Sequence, residues 1–137
     1  MSKEYIILES TIIVARVLIE IIFFAIGASI FSFLNVVIYR LPRKIQFTNG
    51  KSMCTSCHHE LMTKDLIPII SWISLKGRCR YCGEKISVRY TIVEMIGGIS
   101  AVLCTLLIGL NVWALVVFLL SGVIVTAGYI LYDRIRN

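Results

Sequence analysis

Four cysteines arranged in two pairs are the residues of this sequence whose chemistry is most readily named. Each pair has the form Cys-x-x-Cys, at Cys54 and Cys57 and again at Cys79 and Cys82, and 21 residues separate the pairs. A turn of this form brings two thiolates to one metal ion, and two such turns supply four tetrahedral ligands. Because four protein ligands leave no open coordination position, the spacing predicts a structural zinc ion.

The residues around these cysteines leave two alternatives open. His58 and His59 directly follow Cys57, and either can replace a cysteine as a zinc ligand, although four thiols already complete the set. The cysteines can also be free thiols or a redox pair. The fifth cysteine, Cys104, lies in an apolar stretch and is expected to be a small buried hydrophobic side chain.

The rest of the sequence is rich in apolar residues, and its charges are concentrated in one stretch. Of 137 residues, 58% are hydrophobic and 16% are charged, and the mean hydropathy is +0.86. Residues 40–90 contain 10 of the 14 Lys and Arg residues. Basic loops between apolar segments are typical of the cytoplasmic side of membrane proteins. We therefore attribute the net charge of +6 to membrane topology and expect no nucleic-acid partner.

Three apolar segments are long enough to cross a bilayer, for which about 20 residues suffice. They fall at residues 21–38, 92–110 and 113–131. We predict an all-α polytopic membrane protein with three transmembrane helices and a small cytoplasmic four-cysteine zinc domain between the first and second. The preceding segment, residues 2–20, is expected to be an interfacial helix or the outer end of the first helix.

The predicted spans divide the chain into three parts. Residues 1–39 hold the N-terminal segment and the first helix, residues 40–90 form the zinc-binding loop domain, and residues 91–137 form two further helices with a short basic tail. The distribution of Lys and Arg places the loop and the C-terminus in the cytoplasm and the N-terminus outside. The lipid bilayer is accordingly the first expected partner.

Beyond the cysteines, the sequence resembles the N-terminal region of the type IV prepilin leader peptidases. The resemblance rests on residues 27–42 and on four loop motifs. These motifs are Cys54-x-x-Cys57, Asp65-Leu-Ile-Pro-Ile-Ile-Ser-Trp72, Gly77-Arg-Cys-Arg-Tyr-Cys82, and Ile86-Ser-Val-Arg-Tyr90 followed by Glu94. The family implies a location in the bacterial inner membrane. It also implies pilin-like single-helix membrane substrates, whose leader is cleaved and whose new N-terminus is in many cases methylated with S-adenosylmethionine. The zinc-bearing part is associated with methyl transfer and substrate handling.

The protease motifs of that family are not found in these residues. No Gly-x-Gly-Asp occurs, Asp133 is not followed by proline, and spacing from Glu94 puts Tyr129 at the position of the first catalytic aspartate. An aspartic protease needs two carboxylates that share a proton. We therefore expect that the chain is not a self-sufficient aspartic protease. Its catalytic residues are unknown, and Glu94 and Asp133 are the candidates.

The resemblance also suggests residues that contact a substrate or partner, and each has a structural alternative. The candidates are Asn35, Arg40, Asp65 and Glu94. Asn35 can instead bond another helix, and Arg40 can anchor a helix end. Asp65 can hold a basic side chain of the loop, and Glu94 can pair with Arg89 or Arg40. The position of Glu20, on an outer turn or inside the bundle, stays open.

Three functional hypotheses follow. In the first, the chain is the substrate-handling, N-methyltransferase-like half of a pilin-maturation enzyme and works with a separate protease subunit. In the second, it is a non-enzymatic, zinc-stapled membrane adaptor that binds pilin-like helices or an assembly partner. In the third, it is a fragment of a full-length prepilin peptidase.

Overall fold

The protein is all-helical, with three long helices and a loop that carries the four cysteines. The computed structural model describes residues 3–45 and 51–136, so residues 46–50 of the predicted loop domain lie outside it. The elements are α1 (Lys3–Arg40), a 3-10 turn (Thr63–Asp65), α2 (Ile70–Ser74), α3 (Arg89–Ile108) and α4 (Val112–Arg136). Helices α1, α3 and α4 are long and apolar enough to cross a membrane, and the four cysteines lie between the first two of them. This confirms the prediction of an all-α protein with three long apolar helices and a four-cysteine loop.

Helix α1 is continuous over 38 residues, about 57 Å at 1.5 Å per residue. No proline interrupts it until Pro42, and the residue before a proline disfavours helical geometry. The segment before Glu20 is therefore continuous with the first helix, and the alternative of a separate interfacial helix is wrong.

Helices α1 and α3 are antiparallel. They are in close contact because glycines lie where the two helices cross. A Cβ atom added to Gly27 would lie 2.4 Å from the backbone oxygen of Gly97, and one added to Gly97 would lie 2.3 Å from Cγ of Phe31. Such distances are shorter than any real Cβ contact. Small residues are the usual means by which helices approach one another in lipid, where apolar burial provides no driving force.

Helix α4 completes the core through two aromatic rings. Phe31 and Val93 are fully buried, and the ring of Phe31 lies 5.7 Å from that of Phe118 in α4. The turn before α4 includes Gly109, whose φ of 85° suits a residue without a side chain. Asn111 then caps α4, because its Oδ1 accepts from the backbone N–H groups of residues 113 and 114 at 2.8 and 3.2 Å.

Away from the loop, a half-buried carboxylate joins the same two helices. The hydroxyl of Thr105 donates to Oε2 of Glu20 at 2.6 Å, so Glu20 lies against α3 and not on an isolated outer turn. Glu20 and Arg16 also line an open cleft of about 420 Å³ between α1 and α3.

The glycine crossing generates the first prediction. Gly97→Ala should destabilise the helix pair by about 1–3 kcal/mol, since the added methyl group overlaps backbone and ring atoms that cannot move independently. Gly128→Ala is the matched control, because nothing lies within 4 Å of a Cβ atom at that position. Thermal unfolding of both variants in detergent measures the difference. Equal midpoints for the two variants would show that the crossing is not tightly packed.

Candidate metal centre

The first cysteine pair forms a compact turn closed by two backbone hydrogen bonds. The N–H of Cys54 donates to the oxygen of His59 at 3.0 Å, and the N–H of His58 donates to the oxygen of Cys54 at 3.0 Å. His58 is in the left-handed region with a φ of 57°. This conformation reverses the chain directly after Cys57, so both thiols of the pair lie on one side of the turn.

The second pair repeats this geometry. The N–H of Cys79 donates to the oxygen of Glu84 at 2.8 Å, and the N–H of Gly83 donates to the oxygen of Cys79 at 3.0 Å. Gly83, with a φ of 73°, occupies the place that His58 has in the first turn. A glycine adopts this conformation without steric cost, whereas a histidine does not. Two equivalent turns therefore present two thiols each.

The four sulfur atoms converge on one point. The Sγ atoms of Cys54, Cys57, Cys79 and Cys82 all lie within 4.8 Å of one another, and those of Cys54 and Cys82 are 3.8 Å apart. Four sulfurs placed tetrahedrally at about 2.3 Å from a zinc ion would be separated by about 3.8 Å. The donor set therefore fits a tetrahedral metal ion, and neither histidine is part of the cluster.

The thiols also influence one another's ionisation. Backbone hydrogen bonds from Cys57 and Ser56 lower the pKa of Cys54 to about 7. The backbone of Glu84 lowers the pKa of Cys82, but desolvation and the three neighbouring thiols together raise it to about 12. The first thiol therefore ionises readily, whereas the neighbouring thiols oppose the ionisation of the last one. A bound dication removes this opposition, since it neutralises the accumulating negative charge.

Contacts outside the cysteines hold the two turns together. The rings of His59 and Tyr81 are stacked with their centroids 3.6 Å apart. Arg80 donates to Asp65 at 2.8 Å, and the carboxylate of Asp65 is almost fully buried. Asp65 thus holds a basic side chain of the loop, which is the structural alternative given above. The contact of Tyr81 with His59 was not predicted, because no sequence rule assigns a ring partner to the residues between the two cysteines of a Cys-x-x-Cys turn.

Helix α2 is fixed to the second turn through Trp72. The indole N–H of Trp72 donates to the oxygen of Ile86 at 3.2 Å. Its ring covers Gly77, where an added Cβ atom would lie 2.8 Å from the ring. Since Gly77 also has a φ of 66°, both space and backbone conformation require glycine there.

Glu94 connects this loop to the helices. Its Oε1 accepts from the hydroxyl of Ser32 in α1 at 2.7 Å, and its Oε2 accepts from the backbone N–H of Ile69 at 2.7 Å. Glu94 is 8% exposed. A buried carboxylate needs hydrogen-bond donors, and here one comes from α1 and one from the loop. We call this arrangement the Glu94 clasp.

The loop side of the Glu94 clasp is a strained turn. Ile69 has φ 64° and ψ −52°, and the N–H of Ile70 donates to the oxygen of Pro68 at 2.6 Å. These values define a γ-turn of the strained type, which is rare for a β-branched residue. Such a conformation persists only where its surroundings impose it. The bond to Glu94 is one such constraint, and sequence reasoning did not identify Ile69 as part of the site.

Comparison with known proteins agrees with this geometry. The model of the bacterial peptidase A24 N-terminal domain matches residues 25–108. The chain belongs to the bacterial peptidase A24 N-terminal domain family. The match includes the α1–α3 crossing, the Glu94 clasp and all four clustered cysteines.

Several curated proteins of this kind are similar to the chain. The type 4 prepilin-like proteins leader peptide-processing enzyme of Escherichia coli is 37% identical over 126 residues, which cover 79% of this chain and 47% of that protein. The prepilin leader peptidase/N-methyltransferase of Myxococcus xanthus is 41% identical over 87 residues, covering 64% and 26%. That of Vibrio cholerae is 43% identical over 83 residues, covering 55% and 33%. The chain spans about half the length of these relatives or less, and no solved structure matches it.

Two residues that the sequence suggested for catalysis or binding, Asp133 and Asn35, form contacts within this A24 N-terminal domain protein. Arg89 pairs with Asp133 of α4 at 3.2 Å, and among the described residues no ion pair joins Glu94 to Arg89, which was one of the two structural alternatives for Glu94. Asn35 donates to the backbone oxygen of Tyr90 at 3.0 Å, while its Oδ1 is buried and has no hydrogen-bond partner among the described residues. Asn35 therefore joins α1 to α3, which is the structural role expected as the alternative to substrate contact. Arg40 ends α1 and is half-buried.

The second prediction concerns the metal cluster of this A24 N-terminal domain. Cys79→Ala should abolish tight metal binding, because it removes one of four converging ligands, and the purified wild-type protein should carry about one zinc ion per chain. Cys104→Ala is the control, since Cys104 is equally buried but belongs to the helix core. Elemental analysis of protein prepared without chelator gives the metal content. Zinc retained by the Cys79 variant would exclude the four-cysteine site.

The third prediction concerns the Glu94 clasp. Glu94→Ala leaves the Ile69 amide without its acceptor, so hydrogen exchange in residues 66–75 should accelerate by roughly tenfold or more. Ser32→Ala removes the bond on the helix side alone and should leave this exchange nearly unchanged. Exchange measured by mass spectrometry distinguishes the two. Equal protection in the Glu94 variant and the wild type would mean that Glu94 does not hold the turn.

Proposed function

We propose that this chain acts in the maturation of type IV pilins or pilin-like proteins, as the part that handles the substrate and has N-methyltransferase-like character. The observation that supports this proposal is the family match over residues 25–108, which includes the metal cluster and its attachment to the helices. The relatives from Myxococcus xanthus and Vibrio cholerae carry the name prepilin leader peptidase/N-methyltransferase. S-adenosylmethionine as methyl donor is proposed from that name and from the resemblance alone.

In this proposal the cysteines bind structural zinc. The described loop residues contain little apolar core of their own: Cys79 is buried, whereas most neighbouring side chains are exposed. A metal ion bound by four thiolates would supply the stability that such a loop lacks. Zinc would thus maintain the shape of a surface on which a substrate is held, without taking part in the chemistry.

We propose that the chain lies in the bacterial inner membrane, with the N-terminus outside and the loop and C-terminus in the cytoplasm. The support is the concentration of 10 of the 14 Lys and Arg residues in residues 40–90. We also propose residues 40–90 as one small domain. Asn35, Arg40, Asp65 and Glu94 remain proposed substrate or partner contacts, and the unpartnered Oδ1 of Asn35 is an acceptor that a ligand can use.

The leader-cleaving carboxylates are proposed to come from elsewhere. Residues 1–137 contain no Gly-x-Gly-Asp, and the available acids are occupied: Glu94 by Ser32 and Ile69, and Asp133 by Arg89. Proteolysis therefore requires aspartates from a separate protease subunit or from a longer form of the protein. These same contacts favour a second candidate function, a zinc-stapled adaptor that binds pilin-like helices without catalysis.

The fourth prediction separates these functions by assaying leader cleavage and methyl transfer independently. The purified chain in vesicles, given a prepilin and S-adenosylmethionine, should cleave no leader, because it lacks a carboxylate pair. With an already processed pilin it should bind the substrate and transfer a labelled methyl group. Cys79→Ala should lose both activities, and Cys104→Ala should keep them.

Each outcome of this assay has one interpretation. Binding without methyl transfer would favour the adaptor. Cleavage by the chain alone would contradict the proposed division of labour. Absence of both binding and methyl transfer in zinc-loaded wild-type protein would overturn the proposed function.

A further inference from the structure

We propose that residues 66–73, which include most of α2, insert into the lipid of the membrane leaflet nearest the loop. The metal-binding loop is then itself anchored in the bilayer. The inference goes beyond the proposed function and does not depend on it. The partner is the acyl-chain region of the membrane. The evidence is the depth at which the loop joins the helices, the exposed side chains there and the hydrogen bonding of α2.

The depth follows from the Glu94 clasp. Glu94 bonds both Ile69 and Ser32, and Ser32 lies eight residues before Arg40, the last residue of α1. At 1.5 Å per residue, that level is about 12 Å inside the end of α1. Glu94 is likewise five residues inside the start of α3 at Arg89, about 7.5 Å. Ile69 is therefore beside the helices and not beyond their ends.

The side chains around Ile69 suit an apolar medium. Four large aliphatic side chains around the turn keep much of their surface exposed: Leu66 is 42% exposed, Ile67 43%, Ile70 63% and Ile73 63%. Ile70 and Ile73 are three residues apart on α2 and so lie on the same side of it. At this level the helices are surrounded by lipid, so the exposed surface of these residues becomes lipid contact.

Several polar groups of α2 are hydrogen-bonded within the loop, which lowers the cost of insertion into lipid. The backbone N–H groups of Ser71, Ile73 and Leu75 donate to the oxygens of Ile67, Ile69 and Ser71. The hydroxyl of Ser74 donates to the oxygen of Ser71 at 3.0 Å, and the indole of Trp72 is bonded within the loop. Burial in lipid therefore leaves none of these donors without an acceptor.

Charge around the segment favours the lipid surface over a protein partner. Lys64 in the 3-10 turn and Lys76, two residues after the end of α2, are both exposed, and neither is held by a described carboxylate. Lysines beside an inserted segment reach the anionic headgroups. A helix of five residues is about 7.5 Å long, which is too short a ridge to seat a partner helix.

The test uses a photoreactive benzoylphenylalanine placed at single positions of the full-length chain. The variants Ile70→benzoylphenylalanine and Ile73→benzoylphenylalanine are reconstituted in vesicles of phosphatidylethanolamine and phosphatidylglycerol and irradiated. Ile124, exposed in the middle of α4, is the lipid-facing control, and Met53, exposed beside Cys54, is the control within the loop. Zinc content confirms that each variant is folded. Lipid adducts at positions 70 and 73 should exceed those at Met53 by roughly tenfold or more, since burial of even one of the large apolar side chains that each variant retains favours the inserted state by about that factor.

Three results would overturn the proposal. One is the absence of lipid adducts at positions 70 and 73 when Ile124 gives them. Another is equal adduct formation at Met53, which would mean that the whole loop contacts lipid without specific insertion of α2. The third is cross-linking of positions 70 and 73 to a second protein chain, which would assign the surface to a protein partner.

Discussion

The bonding of the Glu94 carboxylate is the interaction on which the arrangement of the helices and the loop depends. A carboxylate with 8% exposure between two apolar helices is costly unless donors surround it. Ser32 provides one donor from α1, and the amide of Ile69 provides the other from the loop. Glu94 therefore fixes where the loop returns to the bundle, and it contributes to the register of α1 against α3 together with the bonds of Asn35 and Glu20. The close glycine crossing of α1 and α3 makes this reach possible, because wider separation would break the bond to Ser32.

The metal cluster and the Glu94 clasp hold the loop at two different points. The cysteines connect two equivalent turns, while Trp72 joins the second turn to α2 and Ile69 joins α2 to Glu94. A structural change at the metal cluster can thus be transmitted to the helices through these direct contacts. The strained γ-turn at Ile69 lies in this series, and strain is retained where neighbouring contacts impose it.

The fold and the metal cluster were predictable because each depends on residue type and spacing. Apolar length alone identified the three helices, and Cys-x-x-Cys spacing alone identified the four thiols. The γ-turn at Ile69 was not predictable, since a β-branched residue avoids positive φ unless tertiary contacts force it there. The pairing of Arg89 with Asp133 in place of Glu94 was missed for a related reason. Two carboxylates competed for one guanidinium, and only the packing of α4 against α3 decides between them.

The partners of the carboxylates also limit the chemistry that these residues can perform. General acid–base catalysis requires a group that is free to exchange a proton with the substrate. Glu94 bonds a hydroxyl and an amide, Asp65 is buried against Arg80, and Asp133 is paired with Arg89. Each carboxylate therefore serves first to join parts of the structure. Such an arrangement suits a rigid scaffold, and it explains why ionisable side chains are kept within apolar helices. In the proposed function, the reactive groups are supplied from outside these residues.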